Sequence, residues 1–302
     1  MVARKLLVAG STGYIGRLLA DELLRRGNDV RCMARRAGSA RDLEARGAEV
    51  VEADALRPES LSPALEGVNI AYYLIHSMGR GSEGDFAEND RRAASAFGAA
   101  AAAAGVRDLV YLGGLGEGGS KHLRSRHETA LALADSGVPT TYFRAAAVVG
   151  AGSESFRTVM YLVKRLPVMI TPRWTTTRTQ PIAIDDVIAY LASTPEVEAA
   201  RGREIEIGGP EVTTYGGMID AMARALGNRP PLRITVPVLT PWLSSLWIGL
   251  VTPVDAGVAR PLIEGLSTET VVTDPSGMRL FDVEPMPLDR AMRAALAELE
   301  GG

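Results

Sequence analysis

A lone cysteine, Cys32, excludes an internal disulfide and suits a reducing compartment such as the cytoplasm. Three histidines, with no cysteine near any of them, argue against a zinc site. A charge excess is missing too. Thirty-three Lys and Arg stand against 36 Asp and Glu, a net charge of -3, which points to neither nucleic acid nor an anionic membrane as partner. The most apolar late stretch, Ile234 to Val254, is broken by Pro237, Pro241 and Pro253. That is too interrupted for a membrane span, although a helix lying on a surface stays open. The sequence enters its first strand almost at once, which leaves no room for a signal peptide. Repeats and low-complexity tracts are absent apart from Ala99 to Ala104, which reads as plain helix.

What is there is ordinary in bulk, with 46% hydrophobic and 23% charged residues over 302 positions, enough for one large domain or two lobes sharing a core. The informative stretch is Lys5-Leu6-Leu7-Val8-Ala9-Gly10-Ser11-Thr12-Gly13-Tyr14-Ile15-Gly16. An apolar run leads into three glycines, and Leu18-Leu19-Ala20 and Leu23-Leu24 follow at helical spacing. This is a buried strand, a tight turn and a helix. Glycines let backbone N–H groups approach an anionic diphosphate, and the helix start adds partial positive charge at the same place. The segment Gly10, Ser11, Thr12, Gly13, Tyr14, Ile15, Gly16 is therefore read as the pyrophosphate seat of a dinucleotide.

Strands and helices alternate through the first half. Strands are expected at Val30 to Ala34, Ala48 to Glu52, Asn69 to Ile75, Asp108 to Leu112 and Pro139 to Phe143. Between them lie helices at Arg41 to Arg46, Leu61 to Leu65, Phe86 to Gly105 and His122 to Ser136. The order predicts an α/β fold, a doubly wound parallel sheet with ligand at the carboxyl ends of the strands. After Gly150 the rhythm changes. A helix is expected over Glu154 to Leu166, extended chain over Val168 to Thr171, and strands over 180–184 and 203–207 that return to the sheet. Asp185-Asp186 reads as a helix N-cap pair, Thr213 or Thr214 as the cap of a helix to Leu226, and Leu288 to Leu299 as a closing helix. The expected division is a dinucleotide-binding domain over 1–152 and a smaller substrate lobe over 153–302.

The end of strand 2 selects the dinucleotide. An acid there would hold the ribose 2′-OH of NAD. Here the run is Cys32-Met33-Ala34-Arg35-Arg36, with no acid and two guanidinium forks suited to a 2′-phosphate. NADP(H) is preferred and NAD(H) is the alternative. A solvated basic loop would look the same. Asp54 after strand 3 is placed for the adenine edge, although it also suits a turn start ahead of Pro58; Ala55 is expected among the cofactor-binding residues. His76, at the end of strand 4 next to Ser77, is placed for the nicotinamide ribose, although it also suits a strand end; Leu74 beside it is expected among the cofactor-binding residues.

Five segments taken together carry a family resemblance. They are Gly10-x-x-Gly13-x-x-Gly16, Tyr111-Leu-Gly-Gly-Leu-Gly116, His122-Leu-Arg-Ser-Arg126, Phe143-Arg144-Ala145 and Gln180-Pro-Ile-Ala-Ile-Asp-Asp186. The chain resembles the atypical short-chain dehydrogenases, and among them the NmrA-like NAD(P)H-binding proteins, related to the accessory NAD(P)H-binding subunit of respiratory complex I. The resemblance is strong over 1–190 and weaker beyond. Active members of that superfamily carry Tyr-x-x-x-Lys on the helix after strand 5, one helix turn apart, and a Ser at the end of strand 5. The matching positions here are His122, Arg126 and Gly113-Gly114, so the usual triad is absent. The resemblance implies that Arg126 holds ribose hydroxyls. Arg126 does not carry protons, because a guanidinium does not deprotonate. His122 is the candidate acid, against a bland reading as a polar residue at a helix start.

Tyr111 reads as core, Arg144 as a brace at the sheet end, and His127 has no assigned role. Phe156, Met160, Trp174, Trp242 and Trp247 are candidate walls of an apolar pocket or simply second-lobe core. The expected function is an NADPH-dependent reductase of a small apolar carbonyl or enone. The alternatives are a noncatalytic NAD(P)H-binding sensor or assembly protein and, as a lesser one, epimerisation or isomerisation on the same fold.

Overall fold

The computed structural model describes residues 4–76, 85–116, 121–166, 168–171, 173–235 and 266–301. Seven strands form one all-parallel sheet: β1 (Lys5–Ala9), β2 (Asp29–Ala34), β3 (Glu49–Glu52), β4 (Ile70–Tyr73), β5 (Asp108–Gly114), β6 (Thr140–Ala145) and β11 (Glu204–Ile207), in the order β11-β6-β5-β4-β1-β2-β3. Between them run α1 (Tyr14–Arg25), α2 (Arg41–Ala45), α3 (Leu61–Leu65), α4 (Asp85–Ala103) and α5 (Lys121–Ala134). This is a Rossmann-like α/β fold, as the alternation of apolar runs and helical segments predicts.

Both faces of the sheet are covered, so the strands read as continuous apolar runs. One face packs Leu6, Val8, Val110 and Phe143 against α1 and α7 (Ile184–Ser193); the other packs Leu7, Tyr73, Leu109 and Tyr111 under α3, α4 and α5. A third core joins α6 (Glu154–Arg165), α8 (Tyr215–Ala225) and α9 (Leu288–Gly301) through Phe156, Met160, Met218, Met222 and Met292. Phe156 and Met160 are buried in this third core.

Three short pairs flank the main sheet: β7 (Val148–Val149) with β10 (Ile182–Ala183), β9 (Arg178–Thr179) with β12 (Thr213–Thr214), and β8 (Val168–Thr171) with β13 (Leu232–Thr235). Two expectations are corrected here. The 180–184 segment does not join the main sheet, because β11 already occupies the edge of β6, pairing Glu204 with Tyr142 through Ile207 with Ala145. Nor do Asp185 and Asp186 cap α7. Ala183 is the N-cap, and both acids lie in the first turn, where Asp186 Oδ2 accepts the Met286 N–H at 2.8 Å. The Thr214 hydroxyl does cap α8, accepting the Gly217 N–H at 3.0 Å.

Among the described residues no helix is long and apolar enough to cross a membrane. Ser77, Pro237, Pro241, Trp242, Trp247, Pro253 and all but the first two residues of 234–254 lie outside the described residues.

Candidate functional site

Chain order reverses between β1 and β4, the place where open parallel sheets leave a crevice at their carboxyl ends. The glycine turn sits there. Gly10 has φ +91°, and a Cβ on it would lie 2.8 Å from the Leu74 carbonyl oxygen, so the end of β1 touches the chain leaving β4. A Cβ on Gly16 would overlap the Gly10 carbonyl, so α1 starts flush against the turn. Gly13 is exposed, and its N–H closes the turn onto Gly10 O at 3.0 Å.

The first α1 donor to reach a carbonyl is Arg17 N–H, on Gly13 O at 2.9 Å. The N–H groups of Tyr14, Ile15 and Gly16 precede it and have no carbonyl one turn back in the helix. They carry the positive end of the helix dipole. This turn, with no Cβ filling it and with main-chain donors at its rim, fits a dinucleotide pyrophosphate.

The Ser11 and Tyr14 side chains serve the turn itself. The Ser11 hydroxyl is fully buried and donates to Met33 O at 3.1 Å, tying the turn to β2. Beside it, burial pushes the Cys32 thiol up to about 11, which keeps it unreactive. Tyr14 lies against Gly152, where a Cβ would run into its ring, and donates its hydroxyl to Glu298 on α9. Thr12 is exposed and Ile15 half-buried.

The other candidates take up places around the carboxyl edge of the sheet. Arg35 and Arg36 directly follow β2; both are exposed, and among the described residues their guanidiniums have no hydrogen bond or ion pair. Leu74 N–H bonds Ala9 O at 2.9 Å, and His76 is exposed three residues past β4. Asp54 Oδ1 accepts the Leu56 N–H at 3.0 Å and Asp54 O accepts the Arg57 N–H at 2.8 Å, so it does start a turn; Ala55 beside it is buried.

At the end of β5, Arg126 sits on α5 and donates to the Leu112 carbonyl at 3.0 Å. His122 is one turn earlier on the same helix, and its side chain lies outside the described residues. A Cβ at position 113 would lie 2.6 Å from the Tyr142 ring, so a serine there would have to displace that ring. Tyr142 escaped the sequence reading, because only the β5–β6 register, pairing Tyr111 with Tyr142, reveals it. The Tyr111 and Tyr142 rings stack at 5.3 Å, and burial raises both phenols above the ordinary range.

Arg144 braces the sheet edge, bonding Glu204 at 2.7 Å and Gly116 O at 3.1 Å. His127 is exposed, 6.2 Å from the Tyr142 ring. Trp174 is half-buried, edge-on to Tyr215. A groove of about 400 Å³ lined by Leu18, Arg25, Asp185 and Ile188 runs along the later turns of α1, away from the glycine turn.

Residues 10–148 match the family model described as NAD(P)H-binding. The chain is 26% identical over 227 residues, 74% of its own length and 69% of the relative's, to photosystem II assembly factor Ycf39 of Trieres chinensis. Among solved structures it resembles the Citrobacter sp. triphenylmethane reductase complexed with NADP(H), with TM-score 0.77 and 18% identity, covering 96% of this chain and 99% of that one. It likewise resembles the NADPH-dependent quinone oxidoreductase QOR2 of Escherichia coli complexed with NADPH, with TM-score 0.77 and 20% identity, covering 96% and 99%. At these identities the structural likeness concerns the fold.

Proposed function

From the premise that residues 10–148 are an NAD(P)H-binding domain, we propose that the protein is an NADPH-preferring oxidoreductase of the atypical short-chain dehydrogenase, NmrA-like group, reducing a small apolar carbonyl or enone. The observation that carries this reading is the Gly10–Gly16 turn at the β1/β4 reversal, followed at once by the first-turn N–H groups of α1. The exposed Arg35 and Arg36, with no acid in the run, favour the 2′-phosphate of NADP(H) over NAD(H). NADPH, when bound, supplies hydride. The protein's own work is position: the turn holds the pyrophosphate, Arg126 braces the β5 end beside the ribose, and His122 is the proton carrier to test. The apolar part from residue 153 supplies the substrate side. The free thiol of Cys32 suits the cytoplasm.

The test is NADPH consumption, followed by absorbance, with a panel of ketones, enones and quinones. Turnover of one of them, at least about tenfold slower in His122→Ala, supports the reading. Tight NADPH binding with no turnover across the panel overturns it in favour of the second reading, a noncatalytic NAD(P)H-binding sensor or assembly protein. That alternative has its own observations: Arg126 is tied to Leu112 O, and Tyr142 crowds the serine position.

A further inference from the structure

The net charge of -3 is unevenly spread. Residues 155–184 contain five Lys or Arg and no acid, and residues 221–254 contain three Arg and no acid. These two runs meet in the parallel pair β8–β13, where Val168 lies opposite Leu232 and Ile170 opposite Ile234. One face of the pair is used: Met169 is buried and Arg233 bonds Asp220 at 2.7 Å. Among the described residues nothing buries the other, with Val168 48%, Leu232 64% and Ile234 52% exposed.

An open two-stranded edge with apolar side chains facing water is an aggregation hazard unless something covers it. Its surroundings say what. Lys164 and Arg165 end α6 just before β8, and Arg229 stands three residues before β13, so all three exposed cations precede the strands at the same end. Beyond β13 the chain runs through 236–254 without a charged residue. Apolar side chains with cations at one end of the pair, and no acid in either run, match the interface of an anionic bilayer.

We propose that the exposed face of β8–β13, with Lys164, Arg165 and Arg229 at its rim, docks the protein on an anionic lipid surface. The apolar side chains enter the headgroup boundary and the cations meet lipid phosphates.

The experiment is co-sedimentation of the full chain with vesicles of phosphatidylcholine alone and of phosphatidylcholine mixed with phosphatidylglycerol, at low and high salt. Binding to the mixed vesicles, weakened by salt, is expected. It should fall at least about tenfold in Leu232→Glu/Ile234→Glu and in Lys164→Glu/Arg165→Glu, while NADPH affinity, which reports folding, holds. Should the first pair fail to fold, Leu232→Ser/Ile234→Ser replaces it with the same expectation. No binding, equal binding to both vesicle types, or binding that the folded variants leave unchanged overturns the proposal. So does a lipid-independent dimer, seen by sedimentation velocity, that Leu232→Glu dissolves, since the face would then pair two copies.

Discussion

The hydroxyl of Tyr14 lies 3.1 Å from the carboxylate of Glu298, joining the first turn of α1 to the closing helix α9. Burial holds the Tyr14 phenol well above its ordinary range, so it remains the donor at every pH the protein meets. The ring also covers Gly152, so the start of α1 rests on the chain that leads into α6.

The bond and the packing should separate on mutation. Tyr14→Phe loses one partly exposed hydrogen bond, about 0.5–1.5 kcal/mol in urea unfolding, and leaves NADPH affinity nearly unchanged. Gly152→Ala forces a methyl into the ring, moves the α1 start, and should weaken NADPH binding by roughly tenfold, or about 1.4 kcal/mol.

Gly16 and Gly13 should fail differently. A Cβ on Gly16 strikes main chain, the Gly10 carbonyl, which cannot step aside. Gly16→Ala should cost about 1–3 kcal/mol of stability, as overpacking does. A Cβ on Gly13 would stand 3.3 Å from Gly10 O and otherwise meet open space, so Gly13→Ala should lose less stability than Gly16→Ala and show its main effect on NADPH affinity. Urea midpoints and cofactor titrations of the two variants read the difference.

Arg35→Ala/Arg36→Ala should weaken NADPH about ten- to hundredfold, the worth of roughly 1.5–3 kcal/mol for charge-assisted bonds, and leave NADH unchanged. Equal losses for both cofactors would show that the arginines do not read the 2′-phosphate. Fluorescence titration with each nucleotide decides it.

The first-half fold was legible because strands buried on both faces are unbroken apolar runs and because glycine spacing marks the turn after β1. The edge of the sheet was not legible. Apolar pattern identifies both 180–184 and 203–207 as extended, but says nothing about which one finds the free edge of β6. The acids at 185 and 186 mark a helix start within a residue or two, and only the backbone shows them inside the first turn. Tyr142 against Gly113 and Arg126 against Leu112 O are cross-strand and helix-to-strand relations, set by register that no local motif encodes.

Asp186 gives a pH test. Burial raises its carboxyl above the ordinary range, against the Met286 N–H, which favours the charged form. The fold therefore prefers the protonated acid. Its contribution is fully present below the unfolded value, about 3.9, and is lost as pH rises through the folded one. Asp186→Asn keeps an acceptor for Met286 and removes the titration. Unfolding free energies across acid to neutral pH should show wild type losing ground to the variant as pH rises; parallel curves would contradict the assignment.

The central claim is that the Gly10–Gly16 turn seats a dinucleotide pyrophosphate, and a crystal structure of the chain with NADPH tests it most directly. The account predicts pyrophosphate oxygens about 2.7–3.2 Å from the N–H groups at the start of α1, with the 2′-phosphate toward Arg35 and Arg36. Nucleotide bound elsewhere, with that turn left to water, would contradict it.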